Sequence, residues 1–158
     1  VQAVNDLNHE RYMRRAIELT AHCPALPFGA VLVHRPTGRV VAEGWNRSGE
    51  NPTWHGEIDA LNRWAATADG TDPAELVLYT TAEPCPMCQG AVLFAGVGAV
   101  VFGVSIGFLA ATGWDQIEIP AAEVIRRSPG LQCEVIGGVL EEECRELFLA
   151  VGRAAPGR

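Results

Sequence analysis

Two short segments constrain this chain more than anything else in it. They are Trp54-His55-Gly56-Glu57 and, with its first cysteine thirty positions past the histidine, Glu83-Pro84-Cys85-Pro86-Met87-Cys88. Each reads as the opening of a helix. Ile58, Leu61, Trp64, Ala65 and Ala68 recur at helical spacing, which predicts a helix over about His55 to Ala68. Pro86 heads a nearly all-apolar run to Ala95, and proline suits a first helical turn because no N–H is needed there. Cysteines three apart at a helix start project from one side, where exposed N–H groups favour thiolate.

Around these segments the pattern is that of a layered α/β domain. Tyr12, Ala16, Leu19 and Thr20 share a face, giving a first helix from about Asn8 to Ala21. Ala30 to His34 and Val40 to Trp45 flank Arg35-Pro36-Thr37-Gly38, a hairpin signal. Leu76 to Thr81, Ala99 to Gly103 and Gln132 to Ile136 read as further strands. Leu140, Cys144, Leu147, Phe148 and Val151 mark a terminal amphipathic helix. A hairpin followed by alternating helix and strand predicts a mixed sheet, with a right-handed parallel crossover over residues 76–103. Val104 to Ile119 is expected to be a loop, and Ala154 to Arg158 a frayed tail. With 158 residues and no repeat or low-complexity linker, one domain over 1–158 is expected.

Charge and cysteine usage narrow the partners. A net charge of −7 opposes nonspecific attraction to polyphosphate, so no nucleic-acid partner is expected. The densest basic cluster, Arg11, Arg14 and Arg15, is flanked by Glu10 and Glu18 and reads as a solvated helix face. No stretch approaches the roughly 18 to 20 apolar residues of a membrane helix. The opening residues include Asp6, His9, Glu10 and Arg11 rather than an apolar signal-peptide core, which makes the cytoplasm the expected location. Five cysteines is an odd number for a disulfide scaffold. Cys133 and Cys144 read as small buried hydrophobes, and His9, His22 and His34 as surface or locally bonded residues.

The Cys85-x-x-Cys88 pair is then either a redox couple or a set of metal ligands. A redox couple leaves His55-Gly56-Glu57 unexplained. Two thiolates and an imidazole suit a borderline-soft ion such as Zn²⁺. A structural zinc needs a fourth ligand, from Cys23 or another histidine. Three ligands and an open position make a catalytic one. Glu57 stands two residues past His55, close enough to share the mouth of the site without binding the metal, and suits general acid–base work. A non-catalytic zinc-binding module would leave Glu57 without a task.

Taken together, the H-x-E and P-C-x-x-C segments resemble the zinc-dependent cytidine deaminase-like superfamily. The resemblance runs over nearly the whole chain and is strongest to the branch holding guanine deaminases, free-base cytosine deaminases and tRNA adenosine deaminases. Phe28-Gly29-Ala30-Val31, Glu43-Gly44-Trp45-Asn46 and Leu78-Tyr79-Thr80-Thr81 also match that branch. The resemblance implies a three-layer α/β fold with a five-stranded mixed sheet flanked by helices. It implies one Zn²⁺ per chain on His55, Cys85 and Cys88 with a catalytic water as fourth ligand, and Glu57 as proton shuttle. It further implies that Asn46 hydrogen-bonds the substrate, that the Gly56 N–H contacts its ring and that Phe28 lines or stacks on the base. Read on their own, Asn46 is a turn-former and Phe28 a core residue.

The substrate turns on less standard stretches. Gly56 replaces the alanine of many tRNA-acting and guanine-acting relatives, and the resulting H-G-E resembles free-base cytosine deaminases. The stretch after the fourth strand lacks the lysine-bearing pattern of tRNA adenosine deaminases. Instead Thr112-Gly113-Trp114-Asp115 resembles the A-G-F-D of guanine deaminases, where an acidic residue assists proton transfer. Asp115 is thus a candidate second acid–base group, or else a helix cap or turn. Trp54 and Trp114 are candidate pocket walls, or packing residues. The expected activity is hydrolytic deamination of a small nucleobase or nucleoside, guanine first, then cytosine-type bases, then adenosine in tRNA. Relatives of this branch dimerise near the helix that here runs from Met87 to Ala95. Its apolar surface points to a homodimer. The C-terminal tail is expected to reach the site, as in guanine deaminases.

Overall fold

Along β1 (Gly29–His34), alternate residues serve two different cores. Val31 and Val33 pack into one, Ala30 and Leu32 into the other. β3 (Leu76–Ala82) does the same, with Val77 and Tyr79 on one side and Leu76 and Leu78 on the other. Successive strand side chains point to opposite faces, so a sheet apolar at every position must be covered twice. In the computed structural model, which describes residues 3–152, it is. One face takes α1 (His9–Leu19) and α6 (Glu141–Ala150) through Tyr12, Met13, Ala16, Leu19, Cys144 and Phe148. The other takes α2 (Gly56–Thr67) and α3 (Pro86–Ala95) through Ala60, Leu61 and Val92.

The five strands lie in the order β2–β1–β3–β4–β5, with β2 at Arg39–Trp45, β4 at Ala99–Val104 and β5 at Glu134–Ile136. β1 is antiparallel to both β2 and β3, while β3, β4 and β5 run parallel. Since β2 and β3 oppose the same strand, they run in one direction and end at one edge of the sheet. The helices that follow them, α2 and α3, therefore both start at that edge. This is the mixed sheet with flanking helices expected from the sequence, and the β3–α3–β4 unit is the expected parallel crossover.

Between Val104 and Ile119 the expectation of a loop is corrected. The chain forms α4 (Ile106–Ala111) there, and α5 (Ala121–Arg126) just beyond. Six residues are too few to display a period, and Gly107 argues against helix. The Ser105 side chain nonetheless caps α4 by accepting the Phe108 N–H. α1 is shorter than expected, with Asn8 as its cap accepting the Arg11 N–H and a 3₁₀ turn at Thr20–His22. The C-terminal tail, and its expected reach to the site, lies outside the described residues. Among the described residues no helix is long and apolar enough to cross a membrane.

Two local packings carry consequences. α2 lies so close to the β1–β2 hairpin that its first residue has no room for a side chain. A Cβ on Gly56 would stand 2.6 Å from the Phe28 carbonyl oxygen. The glycine in H-G-E thus answers to helix packing in this chain. His9 departs from a surface role: its Nδ1 pairs with the hydroxyl of fully buried Tyr79 at 2.9 Å, and its Nε2 is itself buried. Burial lowers the His9 pKa.

Gly56→Ala is expected to lower unfolding stability by about 1–3 kcal/mol, the range for forcing a methyl group into a filled site, read as a reduced urea midpoint at unchanged slope. For His9, the folded pKa lies below the unfolded one. Its stabilisation is therefore present above the unfolded value, near 6.5, and is lost as pH falls through the folded value. The urea midpoint should drop between pH 7 and 5 by more in the wild type than in a His9→Gln variant, which has no ring to protonate.

Candidate active site

The converging helix starts place His55 and Cys85 at equivalent positions. Each is the N-cap of its helix, with extended backbone at ψ 164°, and neither uses its side chain to cap. An N-cap side chain ordinarily accepts an N–H of the first turn. Here the two turn toward each other, with His55 Nδ1 3.6 Å from Cys85 Sγ. Cys88, one turn into α3 and fully buried, completes a cluster whose three donor atoms lie within 4.8 Å of one another. Pro86 fills the first helical position between the two cysteines, as its missing N–H allows.

This donor set fits zinc on distance and on charge. Tetrahedral bonds of about 2.05 Å to nitrogen and about 2.3 Å to sulfur put the two ligand atoms about 3.6 Å apart, the spacing found. The cysteines titrate as a pair. Hydrogen bonds from the Cys88 thiol and from His55 hold Cys85 down to about 4, while Cys88, facing that thiolate and Glu57, is pushed well above its ordinary value. Ligation needs both sulfurs as thiolates, a state that a bound dication favours. The partial positive charge of two helix N-termini acts in the same direction.

Glu57 sits in the first turn of α2, 3% exposed, and accepts a hydrogen bond from the Thr80 hydroxyl of β3 at 3.3 Å. Burial is the main cause of its raised pKa. Above it opens a cavity of about 170 Å³, lined by Leu26, Phe28, Asn46, Ser48, His55, Glu57, Glu83, Cys85, Trp114, Asp115 and Gln116. Of the residues singled out from the sequence, Phe28, Asn46, His55, Glu57, Cys85, Trp114 and Asp115 meet there. Gly56 is buried against Phe28. Trp54 is not among the residues lining the cavity and takes the packing alternative: its ring lies under the Arg47 guanidinium at 4.6 Å. Cys23 is not in the ligand cluster, and its thiol is directed to the Phe28 carbonyl at 3.8 Å.

Asn46 and Phe28 both line the cavity, and each also makes the local contact expected of it on its own. Asn46 Oδ1 accepts the Ser48 N–H at 3.0 Å and its hydroxyl at 2.7 Å, an Asx turn that engages the oxygen and leaves the turn with no use for Nδ2. Phe28 packs edge-on against Trp114 and Phe148, with ring centroids 5.5 and 5.0 Å away, and so joins the cavity wall to the core. The lining residues missed from the sequence are Leu26, Ser48, Glu83 and Gln116. The Asn46-x-Ser48 spacing signals the turn, and Glu83 is part of the cysteine motif, whereas Leu26 and Gln116 carry no local signal.

Comparison with known proteins follows the same lines. Residues 7–104 match the cytidine and deoxycytidylate deaminase zinc-binding region. The guanine deaminase of Bacillus subtilis is 34% identical over 131 residues, covering 74% of this chain and 81% of that protein. The tRNA-specific adenosine deaminase of Haemophilus influenzae is 36% identical over 147 residues, covering 87% of this chain and 79% of that protein. The solved guanine deaminase of Nitrosomonas europaea superposes with a TM-score of 0.77 at 29% identity, covering 90% of this chain and 83% of that one. The donor cluster is consistent with one zinc ion, and the chain belongs to the zinc-binding family of cytidine and deoxycytidylate deaminases.

Proposed function

We propose that this chain, as one domain over residues 1–158, is a hydrolytic deaminase of a small nucleobase or nucleoside, with guanine-type purines as the first candidates. The observation that carries this reading is the cavity itself. Phe28 and Trp114 wall a space of about 170 Å³ that ends on Glu57 and the donor cluster. That is below the roughly 300–1,000 Å³ of pockets for drug-sized ligands, and aromatic walls suit a planar base. Guanine is favoured because Trp114 and Asp115, the stretch resembling guanine deaminases, both face the cavity. Gly56 is accounted for by packing, which weakens the case for cytosine.

His55, Cys85 and Cys88 would hold the zinc, which when bound supplies the Lewis acidity that brings a water's pKa toward neutrality. The overall change replaces the ring C–NH₂ by C=O and releases ammonia, with water supplying the oxygen. Glu57 takes one proton of the attacking water and passes it to the ring nitrogen. It then takes the second, from the hydroxyl left on the ring carbon, and gives it to the departing amine as the carbonyl forms and the C–N bond breaks. Asp115, which also lines the cavity, is a second carboxylate for proton transfer at that amine. Asn46 Nδ2 and the Gly56 N–H donate to acceptor atoms on the ring, and Phe28 and Trp114 fix its plane.

Adenosine within tRNA is the second reading, favoured by the Haemophilus influenzae relative at similar identity. The net charge of −7 and the lack of any lysine weigh against it. Five cysteines without a disulfide support a reducing, cytoplasmic setting. A homodimer through α3 is supported by Phe94, 86% exposed, and by exposed Met87 on the same helix.

Ammonia release from guanine, guanosine, cytosine, cytidine, adenine and an anticodon stem-loop tests the substrate class. Guanine is expected to lead, and turnover of the RNA alone would overturn the reading. Glu57→Ala is expected to keep about one zinc per chain by elemental analysis while kcat falls about 10²–10⁴-fold, whereas Cys88→Ser should lose the zinc. Light scattering at micromolar concentration should give twice the chain mass of 16.9 kDa.

A further inference from the structure

The stretch after β4 carries Trp114, Asp115 and Gln116 to the cavity, and both its ends are held by one side chain from outside it. Glu83 follows directly on β3, two residues before Cys85. Its carboxylate is only 8% exposed, and its two oxygens serve different partners. Oε2 accepts the Ile106 N–H at 2.8 Å, and Oε1 accepts the Ala121 N–H, also at 2.8 Å. Those donors are the first residues of α4 and α5, and first-turn N–H groups have no partner inside their own helix. The Glu83 backbone is itself fixed, donating to Val104 O at 2.8 Å.

What lies between the two anchors makes them matter. α4 passes into Trp114 through a tight turn at Gly113, φ +93°, closed by the Trp114 N–H on Leu109 O at 3.0 Å. Among the described residues, the stretch from Asp115 to Ile119 makes a single backbone–backbone bond, Ile119 N–H to Ile117 O at 2.7 Å. The path of this stretch is therefore set at its ends, by the α4 unit on one side and Ala121 on the other. Both ends converge on the same carboxylate.

We infer that Glu83 is a positioning residue for substrate selection, holding the Trp114–Gln116 wall at a fixed distance from the zinc ligand that follows it in sequence. The inference rests on the proposed function, and it explains why a carboxylate stands here. Two converging N–H donors need two acceptor oxygens, and an amide has only one. Glu83→Gln keeps the shape, retains one bond and turns an NH₂ group toward the other N–H.

Two measurements on the zinc-loaded chain test this, both comparing Glu83→Gln with wild type. Hydrogen–deuterium exchange is expected to quicken over residues 106–121 while α2 and α3 keep their protection and zinc stays at about one per chain. On the best base from the ammonia panel, KM is expected to rise about tenfold or more, with kcat changing less. Most of that rise should vanish in a Trp114→Phe background, since the two changes then act on one wall. Unchanged exchange, an unchanged KM, or loss of zinc would each overturn the inference, the last by placing Glu83's role at the metal loop. Should the wild type turn over no base, the proposed function falls while exchange still decides whether the clamp exists. Glu83→Ala, which removes both bonds, should quicken exchange further; exchange no faster than in Glu83→Gln would likewise overturn it.

Discussion

Two helix N-termini aimed at one point is the constraint on which the rest of this structure depends. A cluster of two sulfurs and an imidazole beside a buried carboxylate repels itself unless positive charge is brought to it. The protein's own share of that charge comes from backbone N–H groups. Those groups are available because His55 and Cys85, although they occupy cap positions, withhold their side chains from capping. The local loss of helix stability at each start is offset by burying α2 and α3 against the sheet through Ala60, Leu61 and Val92. The sheet order follows from the same demand, because only strands ending at one edge deliver both helix starts to one place.

Around that point a few residues act in several capacities at once. The Phe28 carbonyl accepts the Asn46 N–H at 2.9 Å and presses on Gly56, while its ring faces Trp114 and Phe148. Asp59, 2% exposed, accepts the Trp45 N–H at 3.3 Å and pairs with Arg47 and Arg63, fastening α2 to the end of β2 from which Asn46 projects. Cavity-lining groups are in this way held by backbone and buried charge, which have little freedom to drift.

Much of this was legible in the sequence, and the part that was not has a physical pattern. The apolar runs of β1 and β3, helical spacing in α2 and the paired motifs each repeat a local rule over several residues, so they can be read without knowing the neighbours. α4 and α5 escaped because six residues do not repeat anything. Trp54 stays open in the sequence because its ring has two good partners for an indole, a pocket or a guanidinium, and only the path of Arg47 decides between them. Leu26 and Gln116 reach the cavity through tertiary packing alone. For Asn46 and Phe28 the local reading does not compete with a place on the cavity, because a turn uses one atom of an amide and core packing one side of a ring.

The edge-to-face cluster of Phe28, Trp114 and Phe148 also has a temporal side. A chain leaving the ribosome has all three metal donors by Cys88, but it has no Phe148 until sixty residues later. Phe148 meets Trp114 at 5.2 Å and closes the wall from behind. The metal donors are thus synthesised early, and the ring that backs Phe28 and Trp114 comes late. A chain cut short before α6 would carry all three donors and leave those two rings unsupported on that side.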